Sequence, residues 1–480
     1  MTPNSKPFHR FATAFLLSAT FFVSGCIAEK PRISNSGESG TLNQVKKNAD
    51  SFEKNTATTP KNIIVFIGDG MGVSTVTAGR IFIGQEKGLM GEEYELSFDK
   101  FPQLALIKTY NTNAQVSDSA GTATAILSGY KTNIGAINVR PSENQDAMFL
   151  EGCGGETLPT LAQRGKSAKK TVGVISTARL THATPAAMFS HTVSRSIEAD
   201  ADMKDPFNYE GCKSIAQQLI ESDVELALGG GRKEFTDAQI AAWPGTVVAT
   251  AAEMANAPND SRLLGLFNSS HMSFEADRAE TKEPSLAEMT TFTMDRLAND
   301  AEGYVMMVEA GRIDHAHHDT NAYRALKDMQ AFDEAIAAAV DKAGDDTLIL
   351  VTADHSHVFT MAGYPARGNP ILGLVRTPDP LDEGAGLDPI LAADGKPYTT
   401  LGYHNGPNVR EAGSDALTDN MVQAPDFQQQ TAVNLSSETH SGEDVALYAY
   451  GPGSSRFSGV MEQDEIGQIL ADLLSGSRGK

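Results

Sequence analysis

The stretch NIIVFIGDG, Asn62–Gly70, is a nearly unbroken apolar run that ends in an aspartate between two glycines. A strand with one wet face alternates apolar and polar residues, whereas a run without alternation suits a strand buried on both faces. The same pattern recurs in LALIKTYN, TVGVIST, VELALGGG, YVMMVEAG, TLILVTADH and VALYAYGPG, each closing in a polar or glycine cluster. Helical patterns lie between several of these runs. In Ala322–Ala343, Leu326, Met329, Phe332, Ile336 and Val340 form one stripe, and Gly344 supplies a stop. Strands alternating with helices predict an α/β fold: a doubly wound, mostly parallel central sheet sandwiched between helices. LGGGRK (Leu228–Lys233) lacks the full phosphate-loop pattern and reads as a strand-ending turn. Residues 363–435, rich in Gly, Pro and Asp and weak in periodicity, read as an insertion between the last two core strands. Insertions of that size cover an active site or build an interface. The core then comprises 61–362 and 436–480.

The ends and the charge place the chain. Lys6 and Arg10 precede an apolar run, Phe11–Val23, too short to span a bilayer comfortably and ordered like a secretory signal. VSGC resembles a bacterial lipobox, so 1–25 is expected to be a signal peptide and Cys26 a lipidated first residue. Residues 26–60 are polar and read as a flexible tether. These features predict an exported lipoprotein, in the periplasm or cell envelope of a bacterium, that meets the membrane only through its lipid. Cys153 and Cys212 remain; they either bridge or stay as two buried thiols, and an oxidising compartment favours the bridge. Closing that loop would stabilise the fold by roughly 4 kcal/mol. The net charge is −22, and removal of 1–25 takes away two cations and no acid, leaving −24. So acidic a surface argues against nucleic acid as a partner.

Ligand-type residues fall where α/β sheets bind ligands, just past the carboxyl ends of the strands. Asp69 follows the first run, Glu309 and Asp314 follow YVMMV, and Asp354 and His355 follow TLILVTA. His182 and Thr184 come after TVGVIST, and His440 precedes the final run. Each alone has a plain structural reading as a turn residue, a cap or a hydrogen-bonding histidine; gathered on one face they read as metal ligands. Asp314 and His318 are spaced i, i+4, so one helical turn points both the same way. With His440 they make a two-nitrogen, one-carboxylate set suited to zinc with an open position. Asp69, Asp354 and His355 make a second candidate set, of one nitrogen and two carboxylates, and Glu309 and Thr184 offer oxygen only, which suits magnesium. His315 and His317 read as neighbours of the metal shell. Ser119, in VSDSAGTATAILSG, starts a helix whose amino end favours an anion; it is either a plain cap or a nucleophile. Arg195 is the candidate cation for phosphoryl oxygens.

The motifs FIGDGMG, SDSAGTATA, THATPA, HTVSR, VEAGRIDHAHH, VTADHSH and ETHSGEDV, in this order between Asn62 and Leu474, resemble the alkaline phosphatase family. The resemblance implies a homodimeric phosphomonoesterase with two Zn2+ and one Mg2+ per subunit, acting through a phosphoserine and releasing inorganic phosphate. Carried over, Ser119 is the nucleophile and Arg195 binds phosphate. Asp314, His318 and His440 match the first zinc site; Asp69, Asp354 and His355 match the second; Asp69, Thr184 and Glu309 match the magnesium site. Histidine at both 182 and 315 resembles the animal enzymes, as do the Cys153 and Cys212 spacing and the crown-like insertion. Asn268 stands where a further calcium site of some animal members would need an acid, so that calcium is not expected. Two rivals remain. A diesterase or sulfatase would lack the Arg195 equivalent or carry a modification motif, and a tethered binding protein would hold metal or phosphate without turnover.

Overall fold

A computed structural model describes residues 59–141, 155–203, 211–259, 261–378, 388–411 and 413–476. The signal segment, Cys26, nearly all of the tether and Cys153 lie outside the described residues. The strands, in chain order, begin with β1 (Asn62–Gly68), β2 (Gln103–Lys108), β3 (Thr171–Arg179), β4 (Leu226–Gly230) and β5 (Gly245–Val248). They continue with β6 (Arg262–Leu266), β7 (Tyr304–Ala310), β8 (Thr347–Ala353), β9 (Ser356–His357) and β10 (Phe359–Met361). The last five are β11 (Leu401–Gly406), β12 (Thr431–Asn434), β13 (His440–Ser441), β14 (Val445–Tyr450) and β15 (Gly459–Glu462).

Ten of these form one sheet in the order β15-β2-β14-β8-β1-β7-β3-β4-β6-β5. Only β14 runs against its neighbours, β2 and β8; the other pairings are parallel. All seven apolar runs become strands of this sheet. Those at its centre are buried along almost their whole length, as their unbroken apolar character requires. Two expectations need correction. β2 is not buried on both faces: Leu104 is 56% and Leu106 42% exposed, so it alternates although its sequence does not. The short strands β5, β6 and β15 give no comparable apolar run and escape the sequence reading.

The helix Ala322–Lys342 buries Leu326, Met329, Phe332, Ile336 and Val340 as its stripe predicts. Phe332 meets Phe66 of β1 edge-on, with ring centroids 5.9 Å apart. Its polar Asp328 is also buried, and Oδ2 accepts from the Glu275 backbone N–H at 3.1 Å. Burial pushes this carboxyl up to about 8, against the lowering effect of nearby Arg312. In the unfolded chain it would ionise near the ordinary value of about 4. Stability is therefore fully present below that value and is lost as pH rises towards about 8. Asp328→Asn is expected to flatten this slope and raise the melting temperature on the alkaline side; an unchanged dependence of melting temperature on pH would contradict the assignment.

Residues 363–435 contain β11 and β12, which join β10 in a separate three-stranded sheet, β10-β11-β12. That sheet therefore begins before residue 363, and β9 pairs with β13 in a two-stranded sheet that holds His357 opposite His440.

Candidate metal centre

The site lies beyond the carboxyl ends of β3, β7, β1 and β8, which are neighbours in the sheet. Asp69 follows β1, Glu309 sits near the end of β7 opposite Ile67, and Asp354 follows β8. Asp314 and His318 lie on one face of the helix Arg312–His318. Ser119 opens the helix Ser119–Ser128, but it is not the cap. Asp118 is, with Oδ1 accepting from the Gly121 N–H at 3.2 Å, which leaves the Ser119 hydroxyl free for other work.

Three groups form, and each shows why it needs a cation. In the first, His318 Nδ1 donates to the Glu438 carbonyl and His440 Nδ1 to the Ser117 carbonyl, both at 2.7 Å. A neutral imidazole that donates from one nitrogen keeps a lone pair on the other. The two Nε2 atoms nevertheless face each other at 3.1 Å, each 3.4 Å from Asp314 Oδ1. Two lone pairs and a carboxylate oxygen with no proton between them repel unless a cation joins them, and the donor set fits zinc.

In the second group His355 Nε2 lies 3.4 Å from both Asp69 Oδ1 and Asp354 Oδ2, and 3.1 Å from Ser119 Oγ. Asp69, Asp354, His355 and Ser119 are all buried. Burial, then the Asp354 carboxylate, raises Asp69 well above the usual range. Burial likewise lifts Asp354 to about 6 despite hydrogen bonds from the Gly70 and His355 N–H groups. Burial keeps the His355 ring neutral, as a ligand must be.

The third group brings Asp69, Glu309 and His182 together, with donor atoms within 4.8 Å of one another. Both Asp69 oxygens, Glu309 Oε1 and Thr184 Oγ1 are buried without a hydrogen-bond partner. Such orphaned oxygens are costly, and a hard cation satisfies them together. Burial pushes Glu309 up to about 8, against a hydrogen bond from the Ser176 hydroxyl. Arg195 donates to Asp118 Oδ2 at 3.2 Å and to His182 Nε2 at 3.0 Å. His315 sits beside His182, their centroids 5.3 Å apart, and burial holds it neutral down to about 3. His317 makes its contacts outside the three groups: its ring lies 3.0 Å from Thr75 Oγ1 and 2.7 Å from Tyr403 Oη, fixing the helix against β11.

Sequence reading missed His357, Glu438 and His271. His357 Nε2 donates to Asp314 Oδ1 at 2.8 Å and Nδ1 to Glu438 Oε2 at 2.6 Å. Burial opposes its charge, but Glu438 and Asp314 lift it to about 10, so it is a fixed cation behind the first group. The available signal was VTADHSH, where His357 follows His355 at a two-residue strand spacing. His271 had none: it comes from a loop after β6 and packs at a tilt against His315 with centroids 4.1 Å apart. Asn268, on the same loop, donates through its amide to Glu283. His357→Ala is expected to weaken metal binding at the Asp314 group by about 10–100-fold while sparing the Asp354 group. Chelator competition that shows equal loss of metal from both groups would contradict this.

Cys212 is disulfide-bonded, and its expected partner Cys153 lies outside the described residues. No helix among the described residues is long and apolar enough to cross a membrane.

The family model described as alkaline phosphatase matches residues 60–247 and 245–475. The chain is similar to the tissue-nonspecific isozyme of alkaline phosphatase from Gallus gallus, 40% identical over 453 residues, covering 86% of this chain and 84% of that protein. The isozyme of the same name from Felis catus is 38% identical over 473 residues, covering 89% and 86%. Among solved structures, the fold matches Thermus thermophilus alkaline phosphatase with a TM-score of 0.63 at 24% identity, covering 94% of this chain and 97% of that one.

Proposed function

This chain belongs to the alkaline phosphatase family and hydrolyses phosphate monoesters; from that premise we propose which of its residues do the work. The observation that carries the proposal is the Ser119 hydroxyl, 3.1 Å from His355 Nε2 in the group that also holds Asp69 and Asp354. Asp314, His318 and His440 would hold one Zn2+, Asp69, Asp354 and His355 a second, and Asp69, Glu309 and Thr184 one Mg2+. Bound there, the ions supply Lewis acidity: they lower the pKa of a hydroxyl or water and neutralise charge on the reacting oxygens.

The protein's own residues do the rest. Asp118 caps the helix so that Ser119 presents Oγ at its amino end, where the helix dipole favours a phosphoryl group. Ser119 Oγ gives up its proton to solvent as the Oγ–P bond forms and the ester P–O bond breaks, and the alcohol leaves with a proton from solvent. Water then attacks phosphorus, the P–Oγ bond breaks, and inorganic phosphate leaves with the serine hydroxyl restored. Arg195 offers a planar pair of N–H donors to the non-bridging oxygens, whose charge redistributes in both steps. Two successive in-line displacements retain configuration at phosphorus. A chiral phosphate monoester should therefore yield phosphate of retained configuration, whereas inversion would mean direct attack by water and would remove Ser119 from the role.

Further features of the reading are a Cys153–Cys212 bridge around the loop carrying His182, Thr184 and Arg195, and a homodimer. Export as a periplasmic or cell-envelope lipoprotein tethered through Cys26 completes it. The acidic surface, with net charge −22, supports a partner list without nucleic acid. The cations of the centre supply the local positive field that an anionic ester needs.

A further inference from the structure

β8 pairs with β1 as far as Ala353 and with β14 as far as Thr352, so the Asp354 carbonyl lies past the last paired residue on both sides. A buried carbonyl there still needs a donor. Gln463 supplies it from the far end of the chain, with Nε2 2.6 Å from the Asp354 oxygen. Gln463 is fully buried, and its Oε1 has no hydrogen-bond partner among the described residues. An orphaned amide oxygen is costly, and an apolar side chain of similar size would fill the space without that cost. An amide held there in spite of it points to positioning rather than packing.

The helix that Gln463 opens, Gln463–Ser475, also grips the helix that Ser119 opens. Gly467 lies so close to Gly129, the cap at the carboxyl end of Ser119–Ser128, that a Cβ on it would stand 2.3 Å from the Gly129 backbone nitrogen. Beside it, Gln468 Nε2 donates to the Gly129 carbonyl at 3.1 Å. The amino end of Gln463–Ser475 is itself anchored. The Glu462 N–H donates to Glu465 Oε2 at 2.7 Å, and Lys108 of β2 donates to Glu462 Oε1 at 2.6 Å.

From this we infer that the helix Gln463–Ser475 is the spacer that sets Ser119 Oγ 3.1 Å from His355 Nε2, with Gln463 as a positioning residue. Gly467 and Gln468 fix one end of that distance, through Gly129, and Gln463 fixes the other. Asp354 Oδ1 accepts from the Gly70 and His355 N–H groups, both at 3.0 Å, so the carboxylate and His355 move together with this backbone. Without the Gln463 donor the strand end is free to shift against Ser119, and a misplacement of about 1 Å between reacting groups costs up to about a hundredfold in rate. The inference rests on the roles proposed above for Ser119 and the metal groups, and deepens them.

The test loads the protein with cadmium-113 in place of zinc and follows its NMR lines beside steady-state kinetics. Gln463→Met keeps the bulk of the side chain and removes the donor. It should lower kcat by about tenfold with KM changed by less than about twofold. It should also shift the cadmium line that Ser119→Ala shifts and leave the other line in place. Leu470→Ala, which empties a buried position on the same helix, should lower the melting temperature but keep kcat and both lines as in the wild type. Gly467→Ala pushes the spacer from its other contact and should move the same line as Gln463→Met, which keeps the test decisive if the Met variant folds poorly. Unmoved lines in Gln463→Met, or the same line shift and loss of kcat in Leu470→Ala, would overturn the inference. A wild type without a cadmium line would instead overturn the metal assignment, and a Ser119→Ala that moves neither line would overturn the placement of Ser119.

Discussion

Stripping the bound metals is expected to abolish turnover of a phosphate monoester, and zinc and magnesium together, but neither alone, to restore it fully. Several kcal/mol of transition-state stabilisation come from the cations, so the fall should be roughly a thousandfold or more. Stability should fall as well. The three groups bury the carboxylates of Asp69, Asp314, Asp354 and Glu309, and Asp69 keeps both oxygens without a hydrogen bond. A cation that binds only the folded chain stabilises it by about 4 kcal/mol at a thousandfold excess over its Kd. Melting temperature and initial rate, followed through chelation and add-back, check both halves. Full activity after all metal has been removed would contradict this account, and recovery with zinc alone would contradict the magnesium assignment.

Ser119→Ala is the second large effect. Its Oγ lies 3.1 Å from His355 Nε2, where the proposal puts the reacting phosphorus, so Ala would remove the proposed nucleophile while leaving the metal groups in place. The rate should drop by roughly three orders of magnitude or more, the residue being whatever direct water attack the metals and Arg195 still support. Zinc content should remain that of the wild type. A drop accompanied by lost zinc would mean that Ser119 acts chiefly as a ligand, and a rate within tenfold of the wild type would exclude it as nucleophile.

The centre of the fold was legible because β1, β3, β7 and β8 are buried on both faces and their sequences cannot alternate. The periphery was not. β2 looks the same in sequence, but it lies one strand from the edge, where one face is open, and Leu104 and Leu106 stay partly in water. β5 and β15 are short and half exposed, so they carry little apolar signal.

The site divides the same way. Asp69, Glu309 and Asp354 are fixed by strand ends, and Asp314 with His318 by one helical turn, so their convergence follows from local periodicity. His357 was hidden because its role depends on Glu438, eighty-one residues away and brought near only by the pairing of β9 with β13. The contact between His182 and Arg195 was beyond sequence altogether, since it depends on where Arg195 places its guanidinium.

The most direct measurement is to quench the enzyme during turnover of a phosphate monoester and map the covalently bound phosphate by peptide mass spectrometry. The account predicts phosphate on Ser119, absent from Ser119→Ala. Phosphate on another residue, or none while the wild type is turning over, would contradict it.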